Sequence, residues 1–335
     1  MRKVIEEIEY QSFLNLMDTQ IAIKFVKDTF QKEMVKSLNL LRVTAPMFVF
    51  KQSGINDHLT GREEPVSFSV NGYEDDIEIV QSLAKWKRIA LKEYGFEVET
   101  GLYTDMNAIR KDEIVDFIHS LYVDQWDWEK VISKDNRKLS YLKNTVRKIY
   151  KAIYDLSKKV EKQYPILKHN LPKKIYFISS SKLEKMFPNL SRKEREDEIC
   201  RLYRAVFIYQ IGWDLSDNLP HDKRAADYDD WNLNGDLLLY YDLYDMALEI
   251  SSMGIRVDNN SLIKQLKHKG EIEKINNEYC QNIMNDALPY TIGGGIGQSR
   301  LCMFMLKKAH IGEVQVSLWS ESQYKLMEKL GIKLL

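Results

Sequence analysis

Between Thr291 and Arg300 the chain reads Thr-Ile-Gly-Gly-Gly-Ile-Gly-Gln-Ser-Arg, and the apolar stretch Leu301–Leu306 follows. Glycine loses more backbone freedom on ordering than any other residue. A folded chain therefore keeps four of them in five positions only where something must lie against bare backbone, either a flat ligand or another strand. The pattern reads as a flexible turn into a packed helix that begins near Gln298. Arg300 would then fall in the first turn, where the helix dipole disfavours a cation, which implies an anionic or aromatic partner. The run is not a P-loop, because no Gly-Lys-Ser/Thr ends it. It is not a dinucleotide fingerprint either, because Gln298 stands where the third glycine should fall.

The segments before it predict the frame. Ile23, Val26, Phe30, Met34 and Leu38 recur at steps of three and four, which predicts a helix over 20–39. Leu40–Thr44 reads as a strand closed by Ala45-Pro46. Further strands are expected at Val66–Val70, Ile77–Val80, Leu102–Arg110, Leu121–Trp128, Ile175–Ser179, Val206–Ile211, Leu237–Tyr241 and Met246–Ser251. Helices are expected at Leu83–Glu93, Leu139–Gln163, Ser261–His268 and Ile272–Asn285. Strands are not each followed by a helix, so the class is α+β, a mostly antiparallel sheet flanked by helices. Short connections and the absence of repeats or low-complexity linkers predict one continuous domain over 1–335.

Composition narrows the function classes. Lys+Arg and Asp+Glu both number 49, so there is no net positive field for nucleic acid or an acidic membrane. No apolar run reaches the length of a membrane span, and Met1–Gln11 lacks a signal-peptide core. The three cysteines, Cys200, Cys280 and Cys302, form no CxxC spacing, which suits a reducing compartment; the expected location is the cytoplasm. The six histidines show no HExxH or paired spacing for zinc, and a lone histidine such as His119 or His221 reads as structural or exposed.

Alternation along the strands isolates polar side chains. Val123, Gln125, Asp127 and Glu129 would share one face, and Asp124, Trp126 and Trp128 the other, with the tryptophans packed against helices. In the Met246 strand, Asp245, Ala247, Glu249 and Ser251 would share a face opposite Met246, Leu248 and Ile250. A carboxylate with a hydroxyl two positions on can hold magnesium and a ligand oxygen, although a solvated strand face would show the same pattern. Arg110 ends its strand with a guanidinium suited to phosphate.

Several long strings occur together in order: Ser82 to Arg88, Gly101 to Thr104, Tyr122 to Glu129, Asp227 to Trp231, Leu233 to Asp236, Glu249 to Arg256 and Gly293 to Leu301. With these strings the chain resembles the class II aminoacyl-tRNA synthetase catalytic fold and, within it, the ammonia-dependent aspartate–ammonia ligase family, from about Gln20 to the C-terminus. The resemblance implies formation of L-asparagine from L-aspartate, ammonia and ATP through a β-aspartyl adenylate, with AMP and diphosphate released. It implies ATP as co-substrate, Mg2+, a homodimer built on the Gln20–Pro46 segment, and no nucleic-acid or membrane partner. Arg110 matches the arginine on the α-phosphate, and Arg300 the arginine against adenine and near the γ-phosphate. Asp236 and Glu249 match the carboxylates that hold magnesium and phosphates, and Asp230 belongs to the nucleotide pocket. Asp57, Ser82, Lys87, Gln125, Asp127, Ser251, Ser252 and Arg256 match the aspartate pocket. Arg110, Asp57 and Gln125 are the catalytic candidates, and Asp57 or a neighbouring carboxylate would take the proton from ammonium.

Two departures stand out. Only Asn232 separates Trp231 from Leu233, where the family form carries a longer insertion, and Trp213-Asp214 replaces smaller or basic residues. A tRNA ligase shares the fold and the adenylate chemistry, but only about 20 residues precede the first motif helix, too few for an anticodon-binding barrel. A catalytically silent sensing paralogue is the other alternative, and retention of Arg110, Asp236, Glu249 and Arg300 argues against it. Position 2 holds no cysteine that could serve as a glutaminase nucleophile, which favours free ammonia as the nitrogen donor.

Overall fold

The computed structural model describes residues 5–56, 59–60 and 63–335. In chain order it opens with helix α1 (Leu16–Leu38), capped by Asn15 and ended by Asn39 in the left-handed conformation. Short strands β1 (Leu40–Arg42), β2 (Phe48–Phe50), β3 (Ser67–Phe68) and β4 (Ile77–Ile79) follow, then α2 (Ala84–Glu93). The long hairpin β5 (Gly101–Ile109) and β6 (Tyr122–Val131) leads to α3 (Leu139–Gln163). Next come β7 (Tyr176–Ser179), α4 (Ser180–Met186), α5 (Arg192–Tyr203) and β8 (Ala205–Tyr209). A second long hairpin, β9 (Asp229–Tyr241) and β10 (Met246–Arg256), precedes α6 (Asn259–Lys269) and α7 (Glu278–Met284). The chain ends with β11 (Thr291–Gly297), α8 (Gln298–Met305) and α9 (Glu321–Lys329).

Eight strands form one sheet in the order β1-β5-β6-β11-β10-β9-β8-β7, and β2-β4-β3 form a small second sheet. The pairs β1–β5 and β8–β7 at the two edges are parallel, and every other neighbouring pair in the large sheet is antiparallel. The expected mostly antiparallel α+β class therefore stands. One face is dry: Trp126 and Trp128 of β6 pack with Phe30 and Met34 of α1, Ile149 and Ile153 of α3, and Leu301 and Met305 of α8. The helix stripe read from the sequence is this buried surface. On the other face α2 covers Leu102 and Met106 of β5, while α4 and α5 cover Leu238 of β9 and Ala247 of β10. The strands between these two covers are left open, and that gap is the cleft.

Three expectations change. The glycine run is not a turn but β11, a central strand with β6 on one side and β10 on the other. The expected Ile272–Asn285 helix is a 3-10 turn (Ile272–Asn276) followed by α7, because the Asn277 side chain caps a new helix start by accepting from the Cys280 N–H. β2, α4, α5 and α9 were not anticipated from periodicity. No helix among the described residues is long and apolar enough to cross a membrane.

Candidate active site

The open part of the sheet floors a cleft of about 360 Å³. Directly paired residues share a face, and register sets two polar rows across the floor. One runs Asp127–Gly295–Ser252–Asp236, and the next Glu129–Gly293–Gly254–Asn234. The glycines are there because neighbouring side chains lean over them. A Cβ on Gly295 would lie 2.1 Å from Gln125 Oε1, and one on Gly293 would lie 1.9 Å from Glu129 Oε2. The bare backbone thus makes room for polar side chains of β6.

At one end lies a buried charge network. Lys87 of α2 ion-pairs with Asp127 and also donates to the Trp128 carbonyl at 3.0 Å. Arg256 donates to Glu129 through Nε at 2.9 Å and Nη2 at 2.6 Å, and through Nη1 to Asp229. Burial would raise the Glu129 carboxyl, but the Arg256 and Lys87 charges outweigh it and hold it below the usual range. The Asp229 carboxyl is instead pushed up, since burial there exceeds the pull of Arg256 and Arg224. Two cations face three carboxylates, so this end carries excess negative charge that suits a cationic group on a ligand.

The other end is shaped for anions. Arg110 follows β5 directly and lines the cleft. Its buried Nε has no hydrogen-bond partner. Burial, the largest influence, lowers its hold on the proton, and nearby Arg300 adds to that effect against Glu113 and Glu249. Arg300 sits in the first turn of α8 with Nη1 donating to the Glu249 carbonyl at 3.2 Å and 4.0 Å from the Glu249 carboxylate. The anionic partner that its placement demanded is therefore Glu249. Burial would raise the Glu249 carboxyl, but Arg300, Arg224 and Lys193 together keep it below its ordinary value.

Of the sequence-derived candidates, the fold brings Ser82, Lys87, Arg110, Gln125, Asp127, Glu249, Ser251, Ser252, Arg256 and Arg300 into one lining. Asp57 lies outside the described residues. Asp236, a further expected site residue, does not line the cleft: it is buried behind Arg224, which does, and whose Nη2 bonds it at 2.6 Å and Asp222 at 2.9 Å. Burial pushes the Asp236 carboxyl up to about 8, with Glu249 and Asp222 adding to the rise and Arg224 opposing it. Two carboxylates thus meet on one guanidinium, with the Glu249 charge felt through space. No three His, Cys, Asp or Glu side chains among the described residues cluster as a metal site, and magnesium, which takes one or two carboxylates and completes its shell with phosphate oxygens and water, would need only Asp236 and Glu249.

Two placements correct the reading. Asp230 does not reach the cleft: it pairs with Arg137 at 2.9 Å and accepts from the Asn232 N–H, while its neighbour Asp229 faces the lining. In β10 a bulge between Glu249 and Ser251 reverses the alternation. Ser252 rather than Ser251 therefore continues the face of Glu249, and the Ser251 hydroxyl bonds the Gly295 carbonyl at 2.9 Å. Sequence reasoning missed Asp222, Arg224 and Asp229. The first two lie on a loop without periodicity, whereas alternation from Asp230 would have found the third. Asn232 lies within β9 rather than in a loop, and Trp213 Nε1 donates to its Oδ1 at 3.1 Å; Trp213 packs edge-on to Trp231 and His268.

A sheet of this topology with two arginines and a carboxylate pair over a glycine-floored cleft defines the class II aminoacyl-tRNA synthetase fold. The solved structures agree. Asparaginyl-tRNA synthetase from Pyrococcus horikoshii, complexed with asparaginyl-adenylate, aligns with TM-score 0.64 and 16% identity over 90% of this chain and 70% of that one. The Entamoeba histolytica asparaginyl-tRNA synthetase complex aligns with TM-score 0.62 and 13% identity, over 90% and 66%. Residues 17–331 match the family model described as Aspartate-ammonia ligase. The chain is 54% identical to the aspartate–ammonia ligase of Lactiplantibacillus plantarum over 93% of its own length and 97% of that protein's. It is 53% identical to that of Clostridium perfringens strain SM101 over the full length of both. The chain belongs to the aspartate–ammonia ligase family of enzymes.

Proposed function

We propose that the chain converts L-aspartate, ATP and ammonia to L-asparagine, AMP and diphosphate as one catalytic domain. The observation that carries the reading is Arg110, a half-buried arginine that lines the cleft and whose buried Nε has no hydrogen-bond partner. Glu113 and Glu249 influence it through space without closing onto it, and an unpaired donor shielded from water is costly unless a ligand supplies an acceptor.

A carboxylate resists ammonia because oxide is a very poor leaving group. Aspartate, its amino group toward the acidic end and its side chain beside Gln125 on the cleft floor, attacks the α-phosphorus of ATP through that side-chain carboxylate, while Lys87 and Arg256 temper the negative charge around it. Arg110 offsets charge gathering on the α-phosphate oxygens, while Arg300 and Glu249 fix the nucleotide. Asp236 and Glu249 would hold magnesium, which supplies charge neutralisation at the phosphates. The resulting β-aspartyl adenylate exposes a carbonyl whose leaving group is AMP, and ammonia displaces it. Asp127 faces the amino group of aspartate, and Asp57, assigned from the family resemblance alone, would accept the proton lost from ammonium. With ammonium as donor, asparagine and AMP are expected in equal amounts, and glutamine should support little synthesis. ADP as the product, or charging of tRNA by the purified protein, would sink the reading.

The outer surface near the N-terminus supports a homodimer. Met17 and Ile21, one helical turn apart on α1, are 69% and 56% exposed. Apolar patches of this kind mark interfaces. Wild-type protein should run as a dimer in light scattering, and Ile21→Glu should yield monomer; a monomeric wild type would refute the assignment. The three free cysteines are all buried, which fits the cytoplasm as the proposed location.

A further inference from the structure

Helix α5 was unforeseen in the sequence, and its contacts with β10 set the position of Lys193. Asp197 accepts a hydrogen bond from the Ala247 N–H at 2.8 Å. Arg201, four residues on, pairs with Asp245 at 2.8 Å. Four helical residues rise about 6 Å and two strand residues about 6.6 Å. Helix and strand therefore run antiparallel in step, with Arg201 at Asp245, Asp197 at Ala247 and, one turn earlier, Lys193 at Glu249. Glu249 lines the cleft beside Arg300. Arg110 lines the cleft from the β5 side; Lys193 does not line it but stands behind Glu249 on the β10 side, near enough for the two charges to act on each other.

The tether of Lys193 is also unusual. Its Nζ lies 2.9 and 3.3 Å from the two oxygens of Glu196. That carboxylate is 8% exposed and also meets His221 Nε2 at 3.2 Å, whereas the Lys193 side chain is 64% exposed. His221 directly precedes Asp222, Lys223 and Arg224 of the cleft wall. An ordinary surface pair contributes little and does not need a buried carboxylate shared with a loop histidine. Lys193 also lies in the first turn of α5, where the helix dipole opposes a cation. An ammonium has three donors, and one carboxylate takes at most two in this geometry. A cation fixed there, against the dipole and in step with Glu249, is placed for a mobile anion.

We propose that Lys193 binds the terminal phosphates of ATP and the diphosphate they become. The assignment rests on the adenylate-forming reading above. When the bond from the α-phosphorus to its bridging oxygen breaks, the electron pair stays on the diphosphate, and Lys193 with Arg300 meets that charge.

AMP lacks the β- and γ-phosphates, so it separates this role from general pocket damage. Lys193→Met should raise KM for ATP and for diphosphate in the exchange reaction by about tenfold, the scale of one charge-assisted hydrogen bond. The Kd of AMP and KM for aspartate should stay within about twofold, and Lys193→Arg should recover most of the loss. Unchanged KM for ATP and diphosphate would overturn the assignment, as would equal weakening of AMP and ATP. A wild-type protein that makes no AMP and exchanges no diphosphate would sink the adenylate reading and this assignment together. An active wild type with an indifferent Lys193→Met sinks the assignment alone.

Discussion

Arg110→Ala is expected to lower diphosphate exchange and asparagine formation by about 10²- to 10³-fold while the protein remains folded. The magnitude follows from where the guanidinium acts. Charge develops on the α-phosphate oxygens as the aspartate carboxylate attacks, and a preorganised donor in a water-poor cleft counts most at that moment. The fold should tolerate the change because Arg110 anchors nothing else: no ion pair within 4.0 Å joins it to the described residues, and its buried Nε is unpartnered. Removing a buried donor without a partner relieves desolvation rather than breaking a contact. The melting temperature should therefore move by no more than roughly 2–3 °C, the scale of a 1 kcal/mol change in a protein of this size. Arg110→Lys should recover only part of the rate, because a point charge cannot donate two parallel hydrogen bonds to a phosphate. Exchange near the wild-type rate in Arg110→Ala would show that another group meets the α-phosphate.

Much of this site was readable in the sequence, for a physical reason. Strand alternation is strict, so Gln125 and Asp127 fall on the cleft face and Trp126 and Trp128 in the core once β6 is recognised. The stripe from Ile23 to Leu38 likewise identifies α1. Alternation fails where the backbone adds a residue. The bulge at Ile250 is invisible in the letters Glu-Ile-Ser-Ser, yet it decides that Ser252 follows Glu249 across the floor. It fails again where a strand begins earlier than its apolar part. β9 starts at Asp229, eight residues before the expected Leu237, and the exchange of Asp229 for Asp230 follows. α5 escaped notice because its sequence, Arg-Lys-Glu-Arg-Glu-Asp-Glu-Ile-Cys-Arg-Leu-Tyr, offers few apolar residues for a stripe. Its buried face uses Arg195, Glu196 and Asp197 beside Ile199 and Cys200, and periodicity analysis counts charges as solvent-facing.

The glycine run shows the same limit from the other side, and it carries the second large prediction. A strand without side chains has no period to detect, so β11 passes for a turn; its identity is set by β6 and β10. Gly293→Ala is expected to destabilise the protein by about 3 kcal/mol or more, the scale of disturbing a buried ion pair, and to lower the melting temperature by roughly 6 °C or more. The new Cβ would lie 1.9 Å from Glu129 Oε2 and 2.7 Å from Arg256 Nη2. Neither atom is free to swing away. Glu129 is wholly buried and held by two nitrogens of Arg256, which is itself pinned by Asp229. Arg256 lines the end of the cleft proposed for aspartate, so KM for aspartate should rise even where the protein stays folded. Gly297→Ala is the internal control. The closest approach there is 3.3 Å, to Arg300 Cβ, and φ is −62°, so a methyl fits the start of α8 with little strain. Thermal melts of the two variants side by side decide the matter. If both melt alike, the run serves flexibility rather than close packing of charged side chains over bare backbone. A selective loss at Gly293 would show that the strand is bare so that Glu129 can hold Arg256 in place.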